Sequence, residues 1–257
     1  MKKGIPPLIV GNWKMNPLSV TIAISLAKNI KTAVGKVDDV DIVIAPPTVY
    51  IASLHAILKY SKTIALGVQT IHHEKLGAFT GEISIPMVRE FSVRYIILGH
   101  SERRAIGEDD VTINEKLTAT LKAGMTAILC IGEKKRDMGG LYLSGIETQI
   151  RAGLIGVSRT KLSQVVIAYE PVWAIGSGMT PIAEDVHEMR LFIEKILSDM
   201  YERNYAQKVR VLYGGSVDEK NARELFVGGT VDGFLVGGAS LHVKTFKDII
   251  MSVRPTH

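Results

Sequence analysis

The sequence predicts a single closed (β/α)8 barrel of the α/β class spanning residues 1–257, and three observations carry that expectation. Eight short apolar runs recur along the chain, continuous rather than alternating, as parallel strands buried on both faces require. The stretches between them are amphipathic with helical spacing. No linker, low-complexity tract or composition break divides the 257 residues, a length that suits one large barrel. A doubly wound open sheet is the competing arrangement, but its spaced-glycine dinucleotide fingerprint is absent.

Each element has its own justification. The first run, residues 8–10, leads into Gly11-Asn12-Trp13-Lys14-Met15-Asn16. The second and third are 42–45 and 64–68, with Gln69 at the end of the third. The fourth, 95–98, runs directly into Gly99-His100. Ala123-Gly124 reads as a helix stop before the fifth, 127–131, which ends at Gly132-Glu133. The sixth, 165–168, ends at Tyr169-Glu170, where Pro171 stops the strand at once. Gly176-Ser177-Gly178 then has the composition of a loop that moves. A helix should follow from about Glu184-Asp185, acidic residues suited to its N-terminus, with Val186, Met189, Ile193, Ile196, Leu197 and Met200 on one face. The seventh run, 209–212, opens into Gly214-Gly215-Ser216. Gly228-Gly229 stops a helix before the eighth, 234–236, which ends in Gly237-Gly238.

Composition narrows the function classes. Hydrophobic content of 46% and charged content of 22% are ordinary for a globular protein. The net charge of +5 is spread along the chain without a basic block interleaved with aromatics, which argues against nucleic acid and suits an anionic small substrate. A single cysteine, Cys130, rules out an internal disulfide and fits a reducing compartment. It sits in an apolar run, where a buried structural thiol is expected. The first residues lack a secretory signal's apolar stretch, and no run approaches a membrane span. The expectation is a cytoplasmic protein with no membrane partner.

In such barrels the active site gathers at the carboxyl ends of the strands. Those ends supply Asn12, Lys14, His100, Glu170 and several Gly-rich turns. Each has an ordinary alternative: a solvated lysine, a satisfied structural histidine, a strand-end glutamate before a common turn. Together they describe a base under a mobile cover, an imidazole able to donate to an enolate oxygen, and a cation to stabilise negative charge. Glu102 could pair with Lys14 or with Arg103 or Arg104, and a structural role is favoured. Ser216, Gly237 and Gly238, with Gly176, suggest a phosphate cradle of main-chain donors. The His72-His73-Glu74 cluster lacks the spacing of a zinc site, so no metal is expected. No Gly-x-Ser-x-Gly elbow marks a hydrolase, and a lysine with phosphate-type turns makes poor sense for a glycosidase.

Residues 11–16, Gly77-Ala78-Phe79-Thr80-Gly81-Glu82, 98–104, 130–133, 169–178, 213–217 and 236–240 closely resemble the triosephosphate isomerase family, in order over essentially the whole chain. The resemblance implies that Glu170 moves a proton between adjacent carbons of dihydroxyacetone phosphate and glyceraldehyde 3-phosphate. It implies a neutral His100 that polarises the carbonyl, with Lys14 and Asn12 stabilising the enediolate. Gly176, Ser216, Gly237 and Gly238 would hold the phosphate, with Glu102 and Cys130 behind the site. Residues 171–181 would close as a lid. No cofactor is implied. The loop from about Gln69 to Glu82 would reach into a second copy, bringing Thr80 near the partner subunit's Lys14 in a homodimer.

The chain departs from the family pattern in three places. Met179-Thr180-Pro181 stands at the far lid hinge, so the backbone N–H that the family's equivalent of Tyr213 commonly bonds is missing at Pro181. Thr70 replaces a usual asparagine after Gln69. Lys134-Lys135-Arg136-Asp137-Met138-Gly139-Gly140 replaces a more acidic stretch, outside the expected chemistry. An isomerase of a longer phosphorylated ketose, and a barrel kept only for binding, are the competing functions.

Overall fold

A computed structural model describes residues 5–137, 139–174 and 181–255. Eight strands form one closed barrel in chain order: β1 Leu8–Asn12, β2 Asp41–Ala45, β3 Ile64–Val68, β4 Val93–Leu98, β5 Thr126–Ile131, β6 Val165–Tyr169, β7 Arg210–Tyr213 and β8 Gly233–Val236. Every neighbouring pair is parallel, and the seam is closed by β1 against β8, with Leu8 opposite Gly233 and Gly11 opposite Val236.

Continuous apolar strands follow from two separate cores. Residues pointing inward, among them Leu8, Val10, Val43, Ile97, Ile128, Cys130, Ala168, Leu212 and Leu235, fill the barrel. Their strand neighbours, such as Ile9, Ile42, Ile96, Leu129 and Ile167, pack outward against the helices. Where both faces are buried, a strand position cannot be polar without a partner.

The helix Ala183–Tyr201 starts with Glu184 and Asp185 in its first turn and buries Val186, Met189, Ile193, Ile196 and Leu197, with Met200 half-buried. The helices Asp110–Lys122 and Ala222–Gly228 end at Ala123-Gly124 and Gly228-Gly229 as the sequence suggests. Strand limits move by one or two residues. β1 runs through Asn12, so that side chain stands on the strand itself. β7 starts at Arg210, one residue later than the apolar run, while β4 starts at Val93, two earlier.

Candidate active site

The carboxyl ends of the strands surround a cavity of about 320 Å3 whose walls include Asn12, Lys14, His100, Glu170, Ser216, Gly237 and Gly238. Gly176 lies outside the described residues, as do Ser177, Met179 and Thr180.

Lys14 adopts a left-handed backbone, φ 52°, a conformation that costs a non-glycine residue about 1–2 kcal/mol. Two side chains hold it there. Asn12 Oδ1 accepts the Lys14 N–H at 3.1 Å, and Gln69 Nε2 donates to the Lys14 carbonyl at 2.8 Å and to that of Ala45 at 3.0 Å. The ammonium meets Glu102 Oε1 at 2.6 Å. Glu102 is thus Lys14's partner, while Arg103 lies near Glu108 and Arg104 meets Asp110. With 59% of the Glu102 side chain exposed, the pair is worth about 1 kcal/mol or less and can open cheaply.

His100 caps the helix Ser101–Ala105, and its Nδ1 accepts the N–H of Glu102 at 3.2 Å. A ring nitrogen that accepts carries no proton, so the imidazole is neutral with its hydrogen on Nε2. That Nε2 lies 3.0 Å from Glu170 Oε1. The other carboxylate oxygen, Oε2, accepts the N–H of Ser101 at 2.9 Å. Glu170 is 2% exposed. The approach of β6 to β5 requires Gly132, since a Cβ there would fall 1.9 Å from the Glu170 carbonyl oxygen.

Cys130 is buried inside the barrel, where desolvation and then the Glu170 charge push its thiol well above the ordinary range. Thr80 is exposed on its loop, where neighbouring Phe79 packs against His72 with the rings tilted by 32°. The neighbouring Thr70 accepts a hydrogen bond from Lys116 at 3.2 Å, and Lys116 also forms a buried ion pair with Glu108.

Sequence reasoning left one cluster unassigned. Glu133 Oε1 accepts from Tyr169 Oη at 2.8 Å, Trp173 Nε1 at 2.8 Å and Arg136 Nε at 3.0 Å. Arg136 also reaches Tyr169 and Asp185. The Lys134–Gly140 departure therefore does reach Trp173, just beyond β6, through Arg136 and Glu133. A buried strand-end carboxylate demanding donors was the available signal. Burial raises the Tyr169 phenol far above its usual value, with the Glu133 charge adding to it. Among the described residues Tyr213 Oη is buried without a partner, its phenol likewise raised by burial, and it leaves room only for glycine at position 215, where a Cβ would sit 2.1 Å from it.

Fold and site define the class first: a (β/α)8-barrel enzyme with a carboxylate, an imidazole and an ammonium at the carboxyl ends of its strands. A family model described as triosephosphate isomerase matches residues 7–253. Curated relatives bearing that name include those of Endomicrobium trichonymphae, 44% identical over 95% of this chain and 97% of its own, and Carboxydothermus hydrogenoformans, 42% identical over 95% and 97%. That of Aquifex aeolicus is 42% identical over 95% and 98%. The chain belongs to the triosephosphate isomerase family.

Proposed function

We propose that this protein interconverts dihydroxyacetone phosphate and D-glyceraldehyde 3-phosphate, with Glu170 as the base. The observation that carries the reading is the 3.0 Å contact between Glu170 Oε1 and a neutral His100 Nε2, inside a cavity shared with Lys14. A substrate carbonyl oxygen takes over the His100 N–H, freeing Oε1 to remove the proton from the adjacent carbon. The electron pair moves to oxygen as an enediolate, which His100 and Lys14 stabilise by hydrogen bonding and charge. Glu170 then returns the proton to the neighbouring carbon, while the His100 ring moves protons between the two oxygens. Atoms and electrons balance without an oxidant or carrier, so the reaction calls for no cofactor and no metal. Ser216, Gly237 and Gly238, with Gly176, hold the phosphate.

Asn12 supports this arrangement through Lys14, and Glu102 gives Lys14 a resting partner. Residues 171–181 cover the site during turnover. The protein acts in the cytoplasm as one domain per chain and as a homodimer, with Thr80 contributing across the interface. Among the described residues no helix is long and apolar enough to cross a membrane. Exposed Met15, Leu18, Leu76 and Phe79 on the loops after β1 and β3 give the dimer its apolar contact.

A coupled assay of dihydroxyacetone phosphate formation from glyceraldehyde 3-phosphate, with EDTA present, tests the reading. Turnover should be fast and should fall roughly 10²–10⁴-fold in Glu170→Gln. Absent turnover from folded protein, or an unchanged rate in the variant, refutes it. Faster kcat/KM on tetrose phosphates would reassign the substrate.

A further inference from the structure

At the opposite end of the barrel a second cavity, of about 480 Å3, opens beside the starting residues of β3 and β4. Its walls carry Lys59, Arg89 and Arg94. Arginines elsewhere in this chain meet carboxylates, eight of the twelve forming ion pairs. Four form no ion pair among the described residues, and two of these line this one cavity. Between residues 46 and 98 the only acids are Glu74, Glu82 and Glu90, and none of them lines it. Three cations are therefore gathered with no counter-charge in the wall.

The backbone is shaped to present them. In the β3–β4 ladder Leu66 pairs with Val93 and Gly67 with Tyr95, so Arg94 is the extra residue of a bulge. A bulge re-aims a side chain, and here it turns an arginine out of a strand whose regular positions are buried. Ser92, two residues earlier, is left-handed with φ 57°. One neutral donor stands in the wall, Ser61. Ser61 Oγ already accepts the N–H groups of Thr63 and Ile64, at 3.3 and 3.0 Å, which leaves its own proton to donate.

We propose that this cavity binds a small molecule carrying more than one phosphate group, at a site separate from the catalytic mouth. Guanidinium forks match phosphate oxygens in pairs, and several cations match a multiply charged ligand better than a single oxyanion. The ligand would sit at the starting ends of the two strands whose far ends carry Gln69 and His100.

The test is a titration of the full-length protein with inorganic tripolyphosphate, followed by NMR of labelled methyl groups. Leu58, Ile64 and Val93 line the lower cavity, whereas Val217 and Leu235 line the mouth, so the two sites report separately. The lower signals should shift in the wild type, with an affinity that weakens as salt rises. In Arg89→Gln/Arg94→Gln that affinity should fall about tenfold or more, while mouth signals and isomerase turnover stay as they were. Lys59→Gln, on the helix side, should weaken it by a smaller factor and serves if the double variant folds poorly. The proposal is overturned if only the mouth signals move, or if the lower site binds equally well in the substituted proteins.

Discussion

Replacing Gly132 by alanine should disable the base without touching it. A Cβ at this position would lie 1.9 Å from the Glu170 carbonyl oxygen, against a practical minimum of 3.0 Å, so the two backbones must part by about 1 Å. Neither is free to yield. The Glu170 N–H donates to the Ile131 carbonyl at 2.8 Å, and the Gly214 N–H donates to the Tyr169 carbonyl at 2.7 Å. The displacement therefore carries the carboxylate away from the point where it must meet a C–H bond, and a misplacement of about 1 Å costs about 10²-fold in rate. KM should change little, because the turns at Ser216 and at Gly237-Gly238 are not disturbed. Overpacking should also lower stability by about 1–3 kcal/mol. The assay is steady-state isomerisation alongside thermal unfolding. Gly145→Ala serves as control, since an added Cβ there meets nothing within 4 Å and the residue lies inside the helix Leu141–Gly153. The control should gain about 0.5–1 kcal/mol with normal kcat. A Gly132→Ala enzyme with wild-type kcat would show that the close approach of β5 and β6 does not fix the base, and the reasoning would fail.

Glu170→Asp withdraws the carboxylate by one C–C bond, roughly 1.5 Å, and should cost about 10²-fold or more in kcat; near-wild-type turnover would count against Glu170 as the base. Glu108→Gln leaves Lys116 a buried cation without its counter-charge, both side chains being under 5% exposed, and should destabilise by about 3–5 kcal/mol in urea melts. An unchanged midpoint would mean that Lys116 finds water on its own. Tyr213→Phe removes a hydroxyl that has no partner among the described residues, so kcat should hold and stability should be equal or higher; a large loss of kcat would reveal a lid contact that replaces the one Pro181 cannot offer. Stability should also fall as pH rises. Burial raises Cys130, Tyr169 and Tyr213 above their unfolded values, so the unfolded chain loses protons first. The contribution is complete below about pH 8.5 and declines above it, the phenols joining near pH 10, by about 1.4 kcal/mol per pH unit for each group. Denaturant melts at pH 8, 9.5 and 11 measure the slope, and a flat profile would contradict it.

How much of this was legible in the sequence depends on the range of the interaction. The eight strands were, because burial on both faces forces an unbroken apolar run that no amphipathic helix shares. That Lys14, His100 and Glu170 line one cavity was legible too, because each stands within a few residues of such a run. Strand ends were less so: Asn12 is polar yet continues β1, paired with Ala45 of β2. The Glu133 cluster was hidden because two of its three donors lie far away in the chain, Tyr169 and Trp173 being brought in by the pairing of β6 with β5. Thr70 reads as a lone departure in the sequence, whereas in the fold Lys116, itself paired with Glu108, donates to it. The bulge at Arg94 has no periodic signal, since it is one residue out of register within an otherwise regular strand.

The seam between β1 and β8 has a consequence for synthesis in the cell. Leu8 finds its partner on one side only when Gly233 has been made, and no earlier strand can substitute, because the order around the barrel is the order of translation. At about 5–20 residues per second the first strand waits on the order of ten seconds or more with one edge unpaired. Such an edge invites pairing with another nascent chain. The ribosome thus delivers the hazard with β1 and its remedy only with β8, and the interval between them is where a chaperone has most to offer.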